Sequence, residues 1–409
     1  MKTHVNFLFR LCCVAFFAIV LLSYLLSFNY DIGFPLRFSK KMPPPPIKKK
    51  KMPPILVWNG HTPILHGRAF FMLNRWSTGY PPLSQKVKCP FHCDYTEDRK
   101  WENDSSTLIF YLHAEAPMVG WPQHRRTDQS YVMYTAESPP NTLPHFNRTI
   151  MTDNWFNATV TYRTDSTVYL PYDRLVRITP DTPADDIWKQ EEVLKKVRRK
   201  TKLAFQVVSH CDAESGRDLL TKRLSELMPV DLAGPCYKVP CDEPNCYWAG
   251  MDNHFFYFAF ENSVCPQYVT EKFWKPFRAL TVPVVLHRSV LEGLDVPPNA
   301  FIAADDFDTV EELADYLTKL RNDTERYLKF FEWTKTYQKN HFAIMHSPFC
   351  KLCEFAHRQY DEDLKSAGWG GCAVALVDKN KSARLEANGL NVLFWSEPCE
   401  GIEVFPFSG

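Results

Sequence analysis

Leu203-Ala-Phe-Gln-Val-Val-Ser-His-Cys-Asp-Ala-Glu-Ser-Gly-Arg217 passes from an unbroken apolar run into a polar loop closed by glycine, then into a helical pattern reaching Leu227. A short apolar run bounded this way reads as a strand buried on both faces. The alternation continues downstream. Val230 to Ala233 is a strand ending at Gly234, Phe255 to Phe260 another, and Val282-Pro-Val-Val-Leu286 a third. Helices are predicted at Thr270 to Leu280, where Pro276 should kink or shorten the helix, and from the capping box Thr309-Val-Glu-Glu312 toward Leu320 and Tyr327. Upstream, Ile55-Leu-Val-Trp58, Leu108 to Leu112 and Tyr131 to Tyr134 read as strands, and Asp185 to Lys202 as a basic amphipathic helix with a solvated charged face. Strands alternating with helices imply an α/β fold of parallel sheets, in which ligands bind at the carboxyl ends of the strands.

Composition narrows the class. In 409 residues, 48 Lys plus Arg balance 47 Asp plus Glu, so no net field would draw in nucleic acid. A hydrophobic content of 45% supports a real core. Thirteen cysteines are many for a reduced cytosolic protein. Leu11 to Phe28 is a run without formal charge, preceded by Lys2 and Arg10 and followed by no small-residue cleavage site. An uncleaved signal anchor is therefore favoured over a cleaved signal peptide. Pro35 to Pro54 carries seven prolines and seven basic residues and reads as an extended spacer. These basic residues would by themselves keep that side cytoplasmic. Asn-x-Ser/Thr acceptors at Asn103, Asn147, Asn157, Asn322 and Asn380, with eleven cysteines after the span, argue for a lumenal bulk.

Three strand-end segments concentrate polar groups. The loop Ser209 to Gly216 opens a helix at Arg217, where free N–H groups and a guanidinium suit a phosphate. An arginine on a helix surface is nonetheless the ordinary case. Phe258-Ala-Phe-Glu-Asn-Ser-Val-Cys-Pro-Gln-Tyr-Val-Thr-Glu-Lys272 is a second such loop, with Thr270 as N-cap. There Glu271 could serve only the helix dipole, and Lys272 only the solvent. In the third, Met133-Tyr-Thr-Ala-Glu-Ser-Pro139, Glu137 sits where a strand gives way to a turn, a position open to a general base.

Together these segments resemble the α1,3-fucosyltransferase family. The resemblance rests on Phe260-Glu-Asn-Ser263, Tyr268-Val-Thr-Glu-Lys272-Phe-Trp274 and Val282 to Leu286, preceded in order by Glu137-Ser-Pro139, Thr161 to Ser166 and Val207 to His210. It spans about Ile55 to Cys353, includes a late Cys-x-x-Cys at Cys350 and Cys353, and is nearest in texture to nematode and other invertebrate members. It implies a GT-B-like architecture, two Rossmann-like domains facing a cleft, after a single N-terminal transmembrane helix. It further implies an inverting transfer of L-fucose from GDP-fucose, in the Golgi lumen, in α1,3 linkage to GlcNAc of glycoprotein glycans. The invertebrate texture tilts the acceptor toward the N-glycan core over a Lewis-type antenna. Matched residue by residue, Glu137 is the general base, and Arg217 and Lys272 contact the diphosphate. Tyr268 and Glu271 fall at the nucleotide and its ribose, Asn262 near the fucose, and Ser209 in the donor loop.

The implied organisation is a cytoplasmic tail (1–10), signal anchor (11–28), stem (29–54), acceptor-side domain (55–185), GDP-fucose domain (186–366) and an atypical tail (367–409). Self-association, as a homodimer, is assigned to the stem or span. No obligatory metal is expected, with Mn²⁺ at most a stimulant. The Asp-x-Asp at Asp306 to Asp308 sits at a helix start that already accounts for its acids, and the one at Asp361 to Asp363 lies beyond the matched region. Cys89, Cys93, Cys236, Cys241, Cys246, Cys350 and Cys353 have spacings that zinc would accept, but an oxidising lumen favours disulfides. A catalytically inactive glycan-binding scaffold on the same fold is the rival reading.

Overall fold

A computed structural model describes residues 52–59 and 90–360, apart from 114–117, 119, 123–124, 127, 148, 152–154, 242–244 and 340–346. These residues belong to one compact unit, Met52–Gly409. The proposed span, most of the stem, the atypical tail, Cys89, Asn380 and Asp361 to Asp363 lie outside the described residues. Among the described residues, no helix is long and apolar enough to cross a membrane.

The first half builds a sheet from β1 (Ile55–Val57), β2 (Tyr95–Thr96), β3 (Thr107–Tyr111), β4 (Ser130–Tyr134), β5 (Ala158–Thr161) and β6 (Val168–Tyr169). A single helical turn, α1 (Pro139–Thr142), follows β4. All six strands are parallel, in the order β2-β1-β3-β4-β5-β6. The second half contains α2 (Gln190–Arg198), β7 (Lys202–Val207), α3 (Arg217–Leu227), β8 (Val230–Ala233), α4 (Asn245–Asn253), β9 (His254–Phe258), α5 (Glu271–Ala279), β10 (Val282–Val285), β11 (Ile302–Ala303), α6 (Val310–Arg321), α7 (Thr324–Leu328) and α8 (Ser347–Tyr360). Its sheet, also wholly parallel, runs β11-β10-β9-β7-β8. Phe256, Phe258, Val282 and Val284 in its central strands are inaccessible to solvent. Each large apolar side chain buried in this way contributes roughly 1.5–3 kcal/mol.

Two helices depart from the sequence pattern. The predicted helix Asp185 to Lys202 narrows to Gln190–Arg198, and residues 184–186 form a separate 3₁₀ turn whose Asp186 N–H bonds back to Pro183 O at 2.9 Å. The long helix predicted from Thr309 toward Tyr327 stops at Arg321, because Asp323 caps a new helix by accepting from Arg326 N at 3.0 Å. Pro276 is accommodated inside α5, which ends three residues later at a left-handed Leu280.

Among the described residues, several elements of one half pack on the other. Leu352, Phe355 and Ala356 of α8 pack on the first sheet with Ile55, Val57 and Val160, and Cys353 is disulfide-bonded to Cys93. Asp173, beyond β6, forms a buried ion pair with Arg278 of α5, their side chains 1% and 2% exposed. Asp173→Asn is expected to cost about 3–5 kcal/mol, because it removes the negative charge from a buried ion pair. Denaturant unfolding measures this, and a change below ~1 kcal/mol would show the pair to be dispensable.

Candidate active site

β7 and β9 lie side by side in the second sheet, so the polar loops that leave their carboxyl ends meet. Gly216 takes a left-handed conformation (φ +71°) immediately before α3 and turns Arg217 inward, where it is only 1% exposed. Its Nη1 donates to Phe260 O at 3.1 Å and its Nη2 to His210 O. Its Nε has no hydrogen-bond partner among the described residues. From the same loop, Ser215 Oγ donates to Glu261 O at 2.7 Å.

The second loop folds around the buried Glu261 carboxylate, which accepts from Thr270 N at 2.7 Å and Thr270 Oγ1 at 2.8 Å. Thr270 also caps α5, its Oγ1 accepting from Lys272 N. Lys272 Nζ lies 3.0 Å from Glu271 and 3.6 Å from Glu261. Burial would lower its pKa, but the charges of Glu271 and Glu261 outweigh burial and raise it, while nearby Arg217 opposes them. Lys272 is thus held as an ammonium within electrostatic reach of the Arg217 guanidinium. Burial pushes the Glu261 carboxyl up, against the pull of Lys272. Glu271 is also raised by burial, but Lys272 and Lys275 reverse that and leave it below its ordinary value. Asn262 Oδ1 is buried with no partner among the described residues. Buried polar atoms are normally satisfied, so this orphan and Arg217 Nε mark a place where a polar ligand fits.

The first sheet supplies the opposite wall. Glu137 follows β4, and the neighbouring Ser138 Oγ donates to Ser263 Oγ at 2.8 Å. Segment 260–263 therefore contacts Arg217, Ser215 and Lys272 on one side and Ser138 on the other. The Glu137 side chain is 27% exposed, with His113 Nε2 at 3.8 Å from Oε1. Tyr268 donates its hydroxyl to Oε2 at 3.0 Å. Burial works to raise the Glu137 carboxyl, but neighbouring His113, the hydrogen bond from Tyr268 and the charge of Lys272 prevail and hold it below its ordinary value. It is a carboxylate at neutral pH.

The structure brings Glu137, Arg217, Asn262, Tyr268, Glu271 and Lys272 to one locus. Tyr268 is only 2% exposed, and its hydroxyl contact is with Glu137. Ser209 is exposed, and its loop neighbour Ser215 makes the contact to segment 260–263. His113 was not singled out from the sequence. The signal available was its place just beyond the apolar run of β3, at the same end of the sheet where Glu137 follows β4.

Of the cysteines, Cys93 pairs with Cys353, Cys236 with Cys211, and Cys241 with Cys246. Cys265 and Cys350 are also disulfide-bonded. Cys211 and Cys265 were missed as candidates; the partner of Cys211 lies 25 residues on, beyond α3 and β8. Cys93, Cys353 and His357 are close enough to share a metal ion, but the two sulfurs are consumed by their own bond. Asp306, from the nearer Asp-x-Asp, is engaged by Arg288 Nε at 2.7 Å. Of the four described acceptor asparagines, all exposed, Asn147 accepts from Thr149 Oγ1 at 2.6 Å. Asn157 Oδ1 accepts from Tyr131 N, Asn322 Nδ2 donates to Thr318 O, and Asn103 precedes a buried Ser105.

Two parallel sheets carry Glu137 on one side and the Arg217 and Lys272 cations, with Glu261 and Glu271, on the other, an arrangement suited to a group-transfer enzyme. Residues 50–173 match the fucosyltransferase N-terminal family model, and residues 197–367 match the C-terminal model of glycosyltransferase family 10 (fucosyltransferase). The chain belongs to this family of glycosyltransferases. It is 30% identical over 342 residues to alpha-(1,3)-fucosyltransferase C of Drosophila melanogaster, covering 76% of this chain and 78% of that one. It is 31% identical over 306 residues to alpha-(1,3)-fucosyltransferase fut-1 of Caenorhabditis elegans, covering 72% and 67%. A crystal structure of an alpha1,3-fucosyltransferase with GDP aligns with TM-score 0.47 and 18% identity, over 77% of this chain and 92% of that one.

Proposed function

We propose that the protein transfers L-fucose from GDP-β-L-fucose, with inversion, in α1,3 linkage to GlcNAc of glycoprotein glycans. The observation that carries this is the meeting of Arg217, Lys272 and Ser138, the chain neighbour of Glu137, on segment 260–263. As the acceptor oxygen attacks the anomeric carbon, its hydroxyl becomes acidic, so an ionised carboxylate of modest basicity suffices to take the proton. Charge accumulates on the departing GDP. Arg217 Nε and the Lys272 ammonium, fixed before the reaction, stabilise that charge more in the transition state than in the ground state. Asn262 Oδ1 would accept from a sugar hydroxyl, and Tyr268 holds the base. The two sheets would be the paired domains of a GT-B enzyme.

Two cations at the diphosphate can supply the neutralisation that other sugar-nucleotide enzymes take from a metal, and Asp306 is already occupied by Arg288. Turnover of GDP-fucose is therefore expected to survive EDTA, with Mn²⁺ at most stimulatory. Complete loss restored only by Mn²⁺ would reverse this reading. Mass spectrometry of products on defined N-glycans tests linkage and acceptor. We expect the core GlcNAc to be used before an antennary one, and antennary fucose alone would overturn that order. A scaffold on the same fold would bind GDP without any product.

The same reading places the chain in the Golgi membrane, with 11–28 as a type II anchor and the folded part lumenal. The disulfides agree with an oxidising compartment. Sensitivity of the intact chain to an N-glycosidase, with protection from protease in sealed membranes, is the expected result. A protease-accessible, unglycosylated chain would refute it.

A further inference from the structure

Gln267 occupies the loop between β9 and α5 in a left-handed conformation, φ +63°. Such a backbone costs a non-glycine residue about 1–3 kcal/mol and persists only where surrounding contacts fix it. Here the contacts are many. Gln267 N donates to Val290 O at 2.8 Å, and Gln267 O accepts from Val269 N at 3.1 Å. Its Oε1 accepts from both Thr164 N (2.9 Å) and Thr164 Oγ1 (3.0 Å), and its Nε2 donates to Glu292 O at 3.4 Å. Gly293 leaves the space for that amide, since a Cβ there would lie 2.8 Å from Nε2. Thr164 follows β5 of the first sheet, so one side chain fastens the two halves together. The next residue is Tyr268, packed beside Tyr162 with ring centroids 5.0 Å apart and bonded to Glu137.

We propose that Gln267 is a positioning residue for sugar transfer: by pinning this strained turn to Thr164, it holds the Tyr268 hydroxyl on the Glu137 carboxylate. The inference rests on Glu137 being the base. His113, Tyr268, Lys272, Tyr162 and Tyr172 are the titratable groups that act on Glu137 from the surrounding elements. Of these, Tyr268 supplies the hydrogen bond and His113 and Lys272 the nearby charge that hold its carboxyl down. Loosening Tyr268 removes that bond, raises the carboxyl, and moves the acid limb of the pH profile upward.

The test is Gln267→Gly in the full chain. Glycine accepts the left-handed conformation without cost, so the turn persists while the anchor to Thr164 is lost. We expect kcat to fall about 10-fold and the acid limb of kcat/KM to rise by roughly half a pH unit or more. GDP affinity should stay within about twofold, since no diphosphate contact changes. Gln267→Gly combined with Tyr268→Phe should be no worse than Tyr268→Phe alone, because both act on one hydrogen bond. An unchanged pH profile in Gln267→Gly would overturn the inference, as would losses that multiply in the double variant. Full turnover by Glu137→Gln would remove the underlying base assignment instead. An inactive Glu137→Gln beside an unperturbed Gln267→Gly would remove only the role of Gln267.

Discussion

Glu137→Gln is expected to lower kcat by about 10²–10⁴-fold, the range a positioned general base contributes, while GDP binding remains. The amide keeps nearly the same shape and can still accept from the Tyr268 hydroxyl, so the local packing survives. It cannot take a proton, and the developing oxocarbenium ion loses a facing negative charge. Arg217 and Lys272, the residues proposed for the diphosphate, make no hydrogen bond to Glu137 among those described, so GDP binding is expected to change little. Calorimetric titration with GDP, beside steady-state turnover, separates the two effects. In the wild type, the carboxyl's depressed pKa means that activity holds as pH falls through the ordinary glutamate range and is lost only below it. A Glu137→Gln variant with wild-type turnover would transfer the role of base to another group, and His113 at 3.8 Å is the first alternative.

The second half of the chain was legible because its elements are continuous and buried on both faces. The predicted strand Val230 to Ala233 and helix Arg217 to Leu227 coincide with β8 and α3. Thr270 caps α5, and Thr309 caps α6, as their hydroxyls predict. The central strands β9 and β10 carry no polar alternation that could be misread, and α5 and α6 announce their starts with capping side chains. What stayed hidden depends on residues distant in sequence. No local pattern could pair Cys93 with Cys353, 260 residues away, or fold α8 back onto the first sheet. The turn at Asp323 was legible in principle, since aspartate favours N-caps, but the apolar period runs through it without a break.

The site divides the same way. Arg217 and Lys272 were each ambiguous as single residues, because a basic side chain near a helix start is usually solvated. Their significance comes from the adjacency of β7 and β9, which places both beside segment 260–263. His113 and Gln267 act through geometry alone. A glutamine before a tyrosine carries no sign that its backbone is left-handed or that its amide spans two halves of a fold.

Lys272→Met should damage both catalysis and stability, and the two losses can be separated by pH. For catalysis, removing a fixed charge from the departing diphosphate is expected to reduce kcat/KM for GDP-fucose by roughly 10²–10³-fold. For stability, the ammonium is the close counter-ion of two carboxylates, Glu271 at 3.0 Å and Glu261 at 3.6 Å. Without it, burial is opposed chiefly by Lys275 at Glu271 and by the Thr270 hydrogen bonds at Glu261, and the charged forms of both are disfavoured. Breaking a buried pair costs about 3–5 kcal/mol, and the 22% exposure of the lysine side chain places this case toward the lower end. In the wild type, the depressed Glu271 carboxyl contributes stability above its ordinary pKa and loses it as pH falls through the depressed value. In the variant this contribution is absent, and the raised carboxyls oppose folding at neutral pH. The difference between the two proteins should therefore be largest near pH 7 and shrink as pH falls and the carboxyls take up protons. Denaturant unfolding at pH 7 and about one unit above the acid limit measures the trend. GDP affinity, taken where both proteins are fully folded, isolates the catalytic part. If that affinity and the kcat/KM for GDP-fucose match the wild type, Lys272 serves only to neutralise its two acidic neighbours, and the diphosphate must be held by Arg217 with other groups.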